Sequence, residues 1–282
     1  MQGKQKTMVK RIVDVCMTVL LLCLMAYQVT GEALHEWIGI VMTLLVILHQ
    51  VLNRKWYGGL FKGKYNAHRI IITVIDVVLL ISFAFTAVCG MAMSGHAVPF
   101  MYGMVQVSFA RRMHLSVSHW AFVLMGLHLG LHIPVMFAGI KLTDRVKMAL
   151  SGVFCLFAGI GLFFFLKNGM PDYLFFRVPF AFLDYEKAGI LVFLENILTL
   201  SFWAYIGVQI VTICRNAKKR SEEKKNPLIP VVFIMAAIIL GVIIYMATGS
   251  NHKQTNIPVH YSGGATLSED IQKWLDINRI NR

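Results

Sequence analysis

Ten histidines stand in the 282-residue sequence, and six of them fall within two long apolar stretches. His35 and His49 lie in one; His114, His119, His128 and His132 lie in the other. An ionisable side chain inside an apolar segment is costly to keep from water and marks a functional position by default. The spacing says more than the number. His35 and His49 are fourteen residues apart, and so are His114 and His128. On a helix, fourteen residues return to within about 40° of the starting face and rise roughly 21 Å. Each stretch therefore offers one imidazole near each membrane surface, both on the same face.

Two such helices running in the same direction match their histidines by depth, His35 with His114 and His49 with His128. Facing imidazoles at two depths suit two planar macrocycles with axial ligands, stacked across the bilayer. The expected cofactors are two non-covalent haem b groups, with His35, His49, His114 and His128 as iron ligands. His132, four residues after His128, is a competing inner ligand, and His119 stands about 140° around the helix from His114. Either could instead bond a propionate or relay a proton. Arg111 and Arg112 stand beside the outer site as partners for anionic propionates. At the inner site Arg54 and Lys55 fit that role or ordinary membrane anchoring. Gly39, Ser118, Gly126 and Gly130 near the histidines leave room for a porphyrin or, equally, for close helix packing. Asp76 and Glu195 are candidate proton-relay carboxylates, with Asp14 a weaker candidate. No residue is assigned as catalytic. His68, His96, His252 and His260 read as solvated.

The elements that must position these residues are membrane spans. The sequence is 57% hydrophobic and only 15% charged, and several stretches of eighteen or more residues are nearly free of charge. Each can cross a hydrocarbon core as a helix. Seven spans are expected, at about 12–29, 34–53, 70–93, 114–138, 148–166, 188–213 and 229–248. The formal charge of +13 follows the spans: 18 of the 27 Lys and Arg fall in 1–11, 54–69, 141–147 and 215–225. Alternate loops rich in cations place the N-terminus in the cytoplasm and the C-terminus outside. No basic run is interleaved with aromatics, which argues against nucleic acid. Five cysteines without a CxxC pair argue against iron–sulfur clusters, structural zinc and covalent c-type haem. The apolar run after Lys10 and Arg11 lacks a small-x-small cleavage signal and reads as a retained first helix.

The fold class expected is all-α: an integral membrane protein of about seven transmembrane helices, the first four forming an up-down haem-binding bundle. Residues 1–140 make the di-haem cytochrome domain, 141–249 hold three further transmembrane helices, and 250–282 form an extracytoplasmic polar tail. Ser268 to Ile280 is a candidate amphipathic helix.

The segments LHEWIGIVMTLLVILHQVLNRKW (34–56) and MHLSVSHWAFVLMGLHLGLHI (113–133) resemble the flavinylation-associated cytochrome domain family. The second carries that family's LH…W…LHLGLH pattern, with Met113 before His114. The resemblance covers about residues 10–140. It implies a four-helix di-haem cytochrome b, similar in plan to the cytochrome b subunits of formate dehydrogenases, with the pattern falling on His35, His49, His114, His128 and His132. It further implies electron transfer between the quinone pool or a cytoplasmic donor and an extracytosolic flavin-carrying protein, in a bacterial cytoplasmic membrane. Ser262 to Thr266 resembles a flavinylation motif but lacks the soluble domain that normally carries one.

The reading is thus transmembrane electron transfer through two haems, with membrane lipid as surroundings and quinone as a candidate substrate. Whether the chain itself oxidises quinol or only conducts is open. The alternative is a histidine-lined metal transporter, since paired histidines also bind zinc, copper or iron. A metal site wants its ligands in one small cluster, whereas these four repeat at two depths.

Overall fold

The computed structural model of the chain describes residues 2–63, 65–137 and 139–222, with side chains described over 5–216 of that range. The expected seventh span at 229–248, His252, His260 and the polar tail lie outside the described residues. Contacts divide the chain into one compact unit, Met1–Phe233, and a second, Ile234–Arg282.

Among the described residues the fold is all-helical, without strands. Its elements are α1 (Gln2–Met25), α2 (Tyr27–Leu52), the short α3 (Lys55–Leu60), α4 (Ala67–Met91), α5 (Val107–Met136), α6 (Asp144–Lys167), the short α7 (Met170–Leu174) and α8 (Gly189–Glu222); a 3-10 turn, Pro99–Met101, precedes α5. Five helices are long and apolar enough to cross a membrane: α2, α4, α5, α6 and α8. They coincide with five of the seven expected spans. The first expected span, 12–29, falls on α1 and the start of α2, where the chain breaks at Ala26 rather than beyond Val29. Lys10, Arg11 and Asp14 interrupt the apolar run of α1, which is why that helix stands apart from the other five.

Local chemistry sets several of these ends. Asn66 caps α4, its side-chain oxygen accepting from the Arg69 amide at 2.9 Å, and Thr143 does the same for α6 with Val146. Gly169, just past the end of α6, takes the left-handed region at φ 62°, a backbone conformation that residues with a Cβ rarely adopt. Gly31, at φ 70° and ψ 175°, kinks the first turns of α2.

Side-chain contacts fix which helices meet and in what sense. Lys10 donates to Asn53 at 2.7 Å, tying the start of α1 to the end of α2 in an antiparallel pair. The end of α4 meets the start of α2 through Glu36. Thr86 lies against His114 and Asp76 against His128, so α4 and α5 are also antiparallel. α5 is the central helix, flanked by α4, α7 and α8. Phe122, Val123, Met125 and Leu131 on it are almost wholly buried.

The outer faces are apolar. On α4, Val74, Val77, Ile81, Phe85 and Val88 are exposed, and on α2 so are Val41, Leu44, Ile47 and Val51. Contiguous apolar surface of this extent, over helices whose backbone bonds are satisfied internally, suits lipid rather than water.

Gly126 and Gly130 serve helix packing. A Cβ at Gly130 would overlap the Ala204 carbonyl of α8, and one at Gly126 would press on Trp203; Gly207 in turn backs onto Leu127 and Gly130. Of the two readings left open for these glycines, close packing is the one the structure takes, because their face of α5 is covered by α8. Gly130→Val should therefore lower stability by about 1–3 kcal/mol through forced helix separation. Gly152→Ala, on an open face of α6, should leave it unchanged. Thermal melts of the two variants in detergent check the contrast.

Candidate functional site

The outer histidines meet. The imidazoles of His35 on α2 and His114 on α5 have ring centres 6.0 Å apart, at 72° to one another. Tyr27, one helical stretch back from His35, packs edge-on against it at 5.1 Å. His114 Nδ1 donates to the Thr86 carbonyl at 3.0 Å. That bond assigns its proton to Nδ1 and leaves Nε2 with a lone pair. Gly90 makes this possible, since a Cβ there would come within 3.1 Å of the His114 ring. Beside His35 there is space: a Cβ on Gly39 would meet nothing within 4 Å. Arg111 and Arg112 are exposed one turn before His114. Ser118, four residues after His114, bonds back to its own helix at Leu115.

Glu36, next to His35 in sequence, holds the loop that follows α4. Its carboxylate accepts from the Ser94 hydroxyl at 2.7 Å and from the amides of Gly95, His96 and Ala97 at 3.0, 2.8 and 2.8 Å. A carboxylate gathering several backbone donors is a strong local restraint. Glu36 adjoins His35 in sequence, so the restraint that fixes the loop also fixes the stretch of α2 that carries His35. Sequence reasoning passed over Glu36; the signal available was a carboxylate inside an apolar stretch.

The inner histidines are held differently. His49 Nδ1 lies 2.8 Å from an oxygen of Asp14 on α1, and His128 Nδ1 lies 2.8 Å from an oxygen of Asp76 on α4. Asp76, expected as a proton relay, thus serves as partner to a histidine, and so does Asp14. His49 Nε2 faces the Asn53 amide at a long 3.3 Å, while that amide also donates to the His49 carbonyl at 2.9 Å. His132 packs against His128 with ring centres 4.6 Å apart. One ligand atom each from Asp76, His128 and His132 falls within a 4.8 Å cluster. Among the described residues no ring-to-ring contact joins His49 to His128; His132 lies in electrostatic reach of both Asp14 and His49.

His119 belongs to neither site. Its ring stacks on Tyr173 of α7, 4.5 Å between centres, and its Nδ1 bonds the Leu115 carbonyl on its own helix. Ser116 and Trp120, on the same side of α5, both donate to the Leu174 carbonyl. These contacts fasten α7 onto α5. Burial, the largest influence, raises the Tyr173 hydroxyl above the ordinary tyrosine range, and that hydroxyl accepts the Phe182 amide. Glu195, the other relay candidate, is buried on α8, where it pairs with Lys187 and accepts from Asn168 at 2.8 Å. It is remote in contact from both histidine pairs. His68 and His96 do not join the sites either, although His96 donates its amide to Glu36.

Comparison with protein-family models, with curated proteins and with solved structures finds no match.

Glu36→Ala should release the 94–97 segment without unfolding the helices. Amide hydrogen exchange at Gly95, His96 and Ala97 should accelerate by about tenfold or more, with exchange in the middle of α5 unchanged.

Proposed function

We propose that this protein carries electrons across a membrane through two haem b groups, the outer held by His35 and His114, the inner by His49 and His128. The observation that carries the reading is the facing of His35 and His114. Two imidazoles from different helices whose ring centres lie 6.0 Å apart are the residues that would hold a haem at this end.

The remaining residues fit the same group. Ligating histidines almost always give their second N–H to a carboxylate or a backbone carbonyl. His114 gives its proton to Thr86, and His49 and His128 give theirs to Asp14 and Asp76. Open space beside Gly39 leaves room for a flat ring next to His35. When bound, haem supplies one-electron redox chemistry at the iron. The chain's part is to present the imidazoles in the ligating tautomer, to exclude water behind α4, α5 and α8, and to offer Arg111 and Arg112 to anionic edges on the outer side. His132 stays beside His128 as an alternative inner ligand.

The resemblance to the flavinylation-associated cytochrome domain adds the partners to this proposal. They are the quinone pool or another cytoplasmic-side partner, and an extracytosolic flavin-carrying redox protein. The setting is a bacterial cytoplasmic membrane with the N-terminus inside.

A second reading, a divalent-cation site at the inner end, is favoured by one observation, the convergence of Asp76, His128 and His132 within 4.8 Å. Two imidazoles and a carboxylate are a common donor set for zinc or iron.

An oxidised-minus-reduced visible spectrum of the detergent-purified protein, with haem quantified per chain, separates the two. Two b-type haems per chain are expected, falling towards one in His35→Ala or His49→Ala. No Soret band from cells with ample haem, together with one bound divalent metal per chain lost in Asp76→Ala, would replace the first reading by the second.

A further inference from the structure

The two ends of the site differ in what holds their histidines. At the outer end the Nδ1 of His114 gives its proton to a neutral peptide carbonyl, Thr86, at 3.0 Å. At the inner end both histidines face carboxylates, Asp14 and Asp76, at 2.8 Å each. No carboxylate is bonded to His35 among the described residues. Glu36, beside it in sequence, has both oxygens engaged by the 94–97 loop.

We propose that Asp14 and Asp76 are positioning residues of the inner histidines and make the inner end the low-potential end of the electron path. The inference rests on the two-haem reading above. A carboxylate that accepts the Nδ1 proton fixes ring orientation and tautomer and makes the other nitrogen a stronger donor. It also sets an anion close to the position where reduction would add an electron, most effectively at Asp76, whose side chain is 14% exposed against 46% for Asp14. Both effects favour the oxidised iron, so reduction at the inner end is harder.

The cations do not set the two ends apart: Arg111 and Arg112 beside His114 and Arg54 and Lys55 at the other end are all exposed, where water and salt screen them, and Lys10 is bonded to Asn53. His132, the other titratable neighbour of His128, lies beside the same Asp76. One electron entering at the inner end therefore moves outward downhill, without transfer of any atom. A cytoplasmic-side donor or a quinol supplies it, and an oxidised flavin on the external partner takes it. The direction of flow, which the sequence left open, follows from which end bonds its carboxylates to the histidine rings.

An anaerobic potentiometric titration of haem absorbance in the full-length protein tests this. The native chain should show two waves, and the wave that survives in His35→Ala identifies the inner end; it should be the lower one. Asp14→Asn and Asp76→Asn keep an acceptor oxygen but remove the charge. Each should raise the lower wave and leave the upper in place, and the double variant should raise it further. Asp144→Asn, which removes an exposed carboxylate distant from both histidine pairs, should move neither. Loss of the inner haem alone from either Asn variant would also mark that aspartate as a positioning residue. Two haems with unmoved waves in both variants, a shift of the upper wave alone, or an inner end that proves to be the higher wave would overturn the inference. Absence of haem, read from the absorbance before titration, would overturn the proposed function instead.

Discussion

Three of the four paired histidines are set by the satisfaction of one ring nitrogen; the Nδ1 of the fourth, His35, is buried without a hydrogen-bond partner among the described residues. An imidazole has two nitrogens, and a donor left without a partner away from water costs about 1–3 kcal/mol. In this protein the Nδ1 atoms of His49, His114 and His128 are answered by oxygens on neighbouring helices, Asp14 on α1, Thr86 on α4 and Asp76 on α4. Each bond ties two helices together and at the same time decides which nitrogen remains to act. Helix packing and site chemistry are therefore set by the same contacts. If α1 or α4 were displaced along its axis by one turn, about 5.4 Å, the carboxylates would lose the histidines and the rings would lose their orientation.

The rest of the unit is arranged around α5, which carries histidines on one side and glycines on another. Its histidine face meets α2 and α4. Its Gly126 and Gly130 face admits α8 to near backbone contact, and Ser116, His119 and Trp120 fasten α7. In lipid there is little hydrophobic gain from helix association, so small-residue contact and interhelical hydrogen bonds carry it. Both kinds are present, and they occupy different faces of the same helix. A rigid central helix gives the histidines on it fixed depths, which a loop could not do.

The two ends of the site are closed by different means. At the His35 end, one carboxylate, Glu36, draws together three amides and a hydroxyl of the loop after α4. At the His49 end, the Lys10–Asn53 bond joins α1 to α2 one turn beyond His49. The outer arrangement consumes its acid on structure, while the inner arrangement directs its acids to the histidines. The asymmetry in electrostatics between the ends comes from this division and not from the number of acids nearby.

The sequence by itself determined the membrane class, five of the spans, and the meeting of His35 with His114. Apolar length fixes what can cross lipid, and a fourteen-residue repeat returns to one helix face; the same repeat also called for His49 to meet His128, where the described residues show no ring contact and His128 packs on His132 instead. It also placed Asp14 and Asp76 inside apolar stretches, but not their partners. Only tertiary structure decided that Asp14 meets His49 and Asp76 meets His128, because these contacts join residues 35 and 52 positions apart on helices whose rotation no local pattern fixes. The same holds for the glycines of α5, where spacing was equally consistent with a porphyrin or a helix, and the arrival of α8 chose the helix. His119 shows the limit most plainly. Its residue type and setting matched those of His114, and what separated them was the 140° between their faces and the presence of Tyr173 on one of them.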